Sequence, residues 1–183
     1  MNLFVFGPLV IFSWLGITIS GFGQGAKYDI PEVKTSAFGE DSIEMADFER
    51  KDLAEHLASF VVNHIAKDVI AGDAKAISLA ERLNGLALHL NTRNRTALVS
   101  DFQFRRDILP KTTAEDFKPI VLAAHLVTRA GVLAKNDGEN LRLAGYLYSL
   151  AVDIDPTNES AVYKLLMWER DGKKIDWTPI VGS

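Results

Sequence analysis

Residues 60–99 of this chain align without a gap onto residues 124–163. Ala66, Asp73, Leu79, Ala80, Leu83, Leu86, Ala87, Asn94 and Ala97 recur as Ala130, Asp137, Leu143, Ala144, Leu147, Leu150, Ala151, Asn158 and Ala161. Other pairs keep only their character, such as Val69/Leu133, Ile77/Leu141, Leu90/Ile154 and Thr96/Ser160. The retained residues are small or aliphatic and lie at helical spacing, the mark of a packing unit used twice. No strand pattern competes with it. The spacing predicts an all-α fold, a helical-repeat stack of about six helices made of two copies of a three-helix unit.

A chain of 183 residues has room for one domain of ordinary size. Its net charge of −4 argues against a general nucleic-acid binder, which is usually basic. The absence of cysteine excludes disulfides, thiolate metal sites, a cysteine nucleophile and a lipidated cysteine. The first charged side chain is Lys27. Before it, Leu3–Ile19 is apolar apart from Ser13 and Thr18, and the small residues of 20–26 follow. This is the layout of a signal peptide cut after Gly23 or Gly25, although no Lys or Arg precedes the apolar run. An uncleaved membrane anchor is the alternative. Either reading exports the bulk of the chain, and a disulfide-free exported chain leans towards a periplasm, with an extracellular location as the other choice.

Four regions follow: 1–23 as signal peptide or anchor, 24–46 as a linker or loosely attached arm, 47–172 as the helical domain and 173–183 as an irregular tail. Within the domain, a helix is expected from about Phe48 to Ala71, ended by Gly72. Asp73 caps a second helix to about Leu90. The turn 91–94 leads to a third helix, which should run to about Leu109 and stop before Pro110. In the second half, Thr112 and Glu115 have capping-box spacing, and Pro119 should kink the helix that follows or mark its real first turn. That helix should reach about Lys135. Further helices are expected to about Ile154 and, after a break at 155–158, to about Asp171, with Gly172 as the cap. In the tail, Ile175 and Trp177 are possible anchors. Asn94-Arg95-Thr96 and Asn158-Glu159-Ser160 match the N-glycosylation pattern, but their equivalent places before helices point to capping.

Ala144, Tyr148, Ala151 and Pro156, continued by Asn158 and Ala161, resemble the second helix of a tetratricopeptide repeat. In that family small residues let paired helices approach, an aromatic fills the gap and proline ends the helix. The first half keeps Ala80 and Ala87 but has Asn84 in place of the aromatic and Thr92 in place of the proline. The resemblance covers roughly 48–172. It implies a right-handed helical stack with a concave binding surface lined by the first helix of each pair, and it implies no chemistry.

His125, Thr128, Arg129 and Asn136 form a polar stripe on an otherwise apolar helix, and Asn63 and Lys67 do the same one unit earlier. His125, Thr128, Arg129, Asn63 and Lys67 are therefore the candidate binding residues, with a plain solvated face as the bland alternative. His64 follows Leu53, Leu57 and Phe60 and reads as a core histidine, whereas His56 and His89 read as solvated. No metal-ligand spacing, nucleophile elbow or phosphate loop is present, so no metal and no cofactor is expected. Residues 93–111 carry a net charge of +3, and 29–55 hold nine acids against three bases. That asymmetry fits a solvated charge run, an acidic partner, or an acidic arm folded back on the basic helix. The expected function is an exported, non-catalytic module that binds a protein or peptide or scaffolds an envelope assembly. The rivals are a helical-bundle enzyme or small-ligand binder using His64 or the His125/Arg129 pair, and a self-associating structural subunit.

Overall fold

A computed structural model describes residues 26–39, 42–114 and 116–182. The expected signal peptide, its cleavage points and the capping residue Glu115 lie outside them. The described residues form helices and no strands: α1 (Asp47–Phe60), a π-helical turn (Val61–Ile65), α2 (Ala66–Ile70), α3 (Ala74–Leu90), α4 (Arg95–Phe104), α5 (Pro119–Leu133), α6 (Glu139–Ile154), α7 (Glu159–Arg170) and α8 (Thr178–Val181). Among the described residues no helix is long and apolar enough to cross a membrane.

Local chemistry sets most of the boundaries. Asp73, Asn94 and Asn158 each accept a hydrogen bond from the backbone N–H three residues on, satisfying donors that a helix start leaves open. Gly72 and Gly172 take the positive φ (81° and 74°) that closes a helix C-terminus. Pro119 is the first residue of α5, so it marks the real first turn and does not kink the helix. The third helix ends at Phe104, short of Leu109. Asp107 adopts φ 55°, and the Ile108 N–H donates to the Gln103 carbonyl at 2.9 Å, a C-terminal cap built without glycine.

The helices pack in pairs. α1 pairs with α3 and α5 with α6, short turns join α2 to α3 and α5 to α6, and α4 and α7 each pack as a third helix on their own pair. Ala80, Ala87, Ala144 and Ala151 are fully buried, so the recurring small residues sit where helices approach. Gly145 shows how close: a Cβ there would stand 2.9 Å from the Trp168 ring of α7.

The arm is where the fold departs furthest from the expectation. Its described residues form no helix or strand, yet Tyr28, Ile30, Phe38, Ile43 and Met45 are buried in the main core. Each such side chain contributes about 1.5–3 kcal/mol of transfer free energy, before the entropy of ordering the arm is subtracted. Its backbone is tied to both units. Asp29 N–H donates to Glu81 and Ala37 N–H to His89 of α3, while Gly39 N–H donates to Glu139 and Glu44 N–H to Asn140 of α6. Arg105 closes the attachment by donating to Asp29 and to the Ile30 carbonyl. The arm thus meets the basic segment at Arg105, while its other bonds go to α3 and α6.

The tail fills the same seam between α3 and α6. Ile180 of α8 is fully buried against α3, Trp177 stacks 4.6 Å from Tyr146, and the Tyr146 hydroxyl donates to the Asp176 carbonyl at 2.7 Å. Direct contact between α3 and α6 is short, and the arm and tail complete it.

Candidate functional site

The π-helical turn decides what α1 and α2 present. It holds one residue more than an α-turn, so past it the inward face passes to Ala66 and Val69. His64 is left at the rim, where it stacks on Phe60 (4.7 Å between centroids) and its Nε2 lies 2.7 Å from Asp116. It is an exposed histidine with a carboxylate partner, and the core placement expected from its spacing does not hold.

His89 errs the other way. It is buried, its Nδ1 accepts the Ala37 N–H at 2.8 Å, and its own carbonyl accepts the Ser36 hydroxyl. Burial depresses its pKa below the ordinary value, against the opposing pull of the Ile180 carbonyl. The solvated reading failed because the arm covers this end of α3.

The stripe on α5 faces α1. His125 meets His56 edge to face at 5.9 Å, and His56 packs 4.2 Å from the Phe117 ring with its Nε2 3.5 Å from Asp52. Burial, then the nearby His56, lowers the His125 pKa, while Asp52 pulls it up. Arg129 pairs with Glu49 of α1, and that carboxylate also accepts the Ala46 N–H at 3.0 Å. The backbone bond first, and the guanidinium second, hold Glu49 below the usual carboxylate range. The Thr128 hydroxyl donates back to the Ala124 carbonyl of its own helix. Asn136, at the end of the stripe, donates to Glu44 of the arm.

Of the five candidate binding residues, His125, Thr128 and Arg129 thus share one side of α5. Asn63 is committed elsewhere: its amide clamps Thr113 through two bonds, of 3.0 and 2.8 Å, and so pins the connector before α5. Lys67 is exposed on α2, and no ion pair or side-chain hydrogen bond ties it down among the described residues. No three His, Asp or Glu side chains converge as a metal site among the described residues.

Exposed apolar side chains were not anticipated. Ile120, Val121 and Val132 lie open on α5, Leu98, Val99 and Phe102 on α4, and Tyr163 and Leu166 on α7. Val99/Tyr163 and Phe102/Leu166 are repeat equivalents, 64 residues apart, so the periodicity itself held a signal that these positions stay apolar without facing the core. Beside Val99 a surface pocket of about 190 Å³ is lined by Val62, Arg95, Pro110 and Lys111.

Fold and site together describe an all-helical protein with open polar and apolar helix faces. No protein-family model, no curated protein and no solved structure matches the chain.

Proposed function

We propose that the chain is an exported, non-catalytic helical-repeat module, similar to tetratricopeptide repeats in its helix pairing, that binds a protein or peptide along the open side of α5. One observation carries the reading. α5 is strongly apolar in sequence, yet it leaves Ile120, Val121 and Val132 exposed beside the polar His125 and Thr128. Apolar anchors next to polar groups are what a partner-binding surface offers, and such residues are a cost on a face that only meets water. The pairing of α1 with α3 and of α5 with α6, with small residues between them, supports the family likeness. The apolar run Leu3–Ile19 supports export.

The test is affinity capture from the native source with the wild type, Val121→Glu and His125→Ala, followed by titration of the captured species. A face that binds should lose about 2 kcal/mol or more on losing an anchor, with melting curves within about 0.5 kcal/mol of the wild type because both sites are exposed. Unchanged capture by both variants would remove α5 from the argument. N-terminal sequencing of the native protein tests export: a start at Gln24 or Ala26 shows cleavage, and Met1 in a membrane fraction shows an anchor.

A further inference from the structure

The geometry points to a second docking surface, on α4 and the turn after it, that rests on an anionic lipid bilayer. The face holds Leu98 and Phe102, one helical turn apart and about half exposed (46% and 53%), with Ile108 and Leu109 continuing it past the helix end. The Arg106 guanidinium lies 3.6 Å from the centre of the Phe102 ring, so the cation and the apolar surface are one assembly. Arg95 and Lys111 line the adjoining pocket beside Val99, and neither they nor Arg93 make an ion pair among the described residues. The segment 93–111 is net +3 in a chain that is net −4. Both acids of the segment are already counted in that figure: Asp101 is held by Arg105, and Asp107 is exposed in the capping turn. Nearby Glu55 is taken up by Asn94 and Thr96.

Two arguments select a membrane as the occupant. The first is charge: long basic side chains flanking exposed leucine and phenylalanine place their cations at headgroup phosphates while the apolar groups reach the acyl boundary. The second is where the rest of the chain enters. Ala26 and Lys27 line a shallow pocket with Phe104 and Asp107, at the C-terminal end of α4. The described chain thus begins, at Ala26, beside the C-terminal end of α4.

The chain lacks cysteine, so single substitutions can carry one environment-sensitive fluorophore on the full-length protein. Labels go at Leu98→Cys, Phe102→Cys and Tyr163→Cys, the last being the repeat equivalent of Val99 on α7. Each is mixed with vesicles of phosphatidylcholine plus phosphatidylglycerol, or of phosphatidylcholine alone. On anionic vesicles the labels at 98 and 102 should blue-shift and resist an aqueous quencher, while the label at 163 stays in water. Adding Arg95→Gln and Lys111→Gln should weaken this response at least tenfold, since each basic side chain near an anionic leaflet is worth about fivefold in binding. On neutral vesicles the labels should remain wet even where the N-terminal run holds the chain to the lipid. The proposal is overturned if the labels at 98 and 102 are as accessible as the label at 163, or respond equally to both vesicle types. It is also overturned if they are already shielded without lipid, since a second copy or a protein partner would then cover the face.

Discussion

Replacing Gly85 with alanine should destabilise the full chain and stabilise a chain that ends at Trp177. Gly85 lies inside α3, where glycine costs about 1 kcal/mol relative to alanine. On helix grounds alone the substitution is favourable. Its surroundings reverse the sign. A Cβ at this position would stand 2.9 Å from the Ile180 carbonyl oxygen and 3.1 Å from Ile180 Cγ2. The nearer atom is backbone, so α8 has to move. Overpacking of this kind costs about 1–3 kcal/mol, and full undocking would forfeit the burial of Ile180, about 1.5–3 kcal/mol. Against the gain of about 1 kcal/mol, the full chain should lose up to about 2 kcal/mol. With 178–183 removed, the obstacle is gone and the gain of about 1 kcal/mol remains. Chemical denaturation of the four proteins forms a double-mutant cycle whose interaction energy should be about 1–3 kcal/mol. Equal effects of Gly85→Ala in both backgrounds would refute the docking of the tail on α3.

Three further outcomes are expected. Tyr28→Phe removes the hydroxyl that accepts from Asn84 at 3.1 Å in a buried setting, and should cost about 1–2 kcal/mol in equilibrium unfolding; no loss would mean that the arm is not held there. Ala144→Leu, at a fully buried contact, should cost about 1–3 kcal/mol, well beyond Ala134→Leu at the half-buried end of α5; equal losses would tell against close helix pairing. Because the folded chain depresses the pKa values of His89 and His125, the unfolded chain binds more protons as pH falls through the ordinary histidine value of 6.5, so the denaturation midpoint should fall between about pH 7 and pH 5.5. Raised carboxyls at Glu81, Asp101 and Asp153 act with the opposite sign nearer the carboxylate range, and a midpoint that stays flat above it would contradict the histidine assignments.

Helix caps were legible because their chemistry is local. Asp73, Asn94 and Asn158 each need only the N–H three residues away, and their spacing is printed in the chain. The stripe of His125, Thr128 and Arg129 was legible for the same reason, since helical geometry alone puts these residues on one side. What the stripe touches was not. The partner of Arg129 is Glu49, 80 residues earlier, and no period connects them. His64 was misplaced because its position was extrapolated through a helix assumed uniform, and the π-helical turn adds a residue that hydrophobic spacing does not advertise. The arm was illegible for a further reason. Tyr28, Ile30, Phe38, Ile43 and Met45 follow neither a helical nor a strand period, and their partners lie on elements that had first to be brought together.

The same arm accounts for the residue at which the repeat breaks down. Asn84 stands where the second unit has Tyr148, and Phe104 stands where it has Trp168. In the second unit Tyr148 meets Trp168 edge-on at 5.9 Å, filling the space between α6 and α7 with rings from the unit itself. In the first unit the ring beside Phe104, at 5.0 Å, belongs to Tyr28 of the arm. Asn84 lies beneath it, donating to the Tyr28 hydroxyl and to Ser100 Oγ, each at 3.1 Å. A tyrosine at position 84 would compete with Tyr28 for one space, whereas asparagine leaves room for the ring and satisfies its hydroxyl, which a buried phenol requires. The departure from the repeat is therefore what admits the arm. By admitting it, the first unit gains a covering that reaches across to Glu139, Asn140 and Arg142 of the second. The symmetry lost within one unit is what ties the two units together.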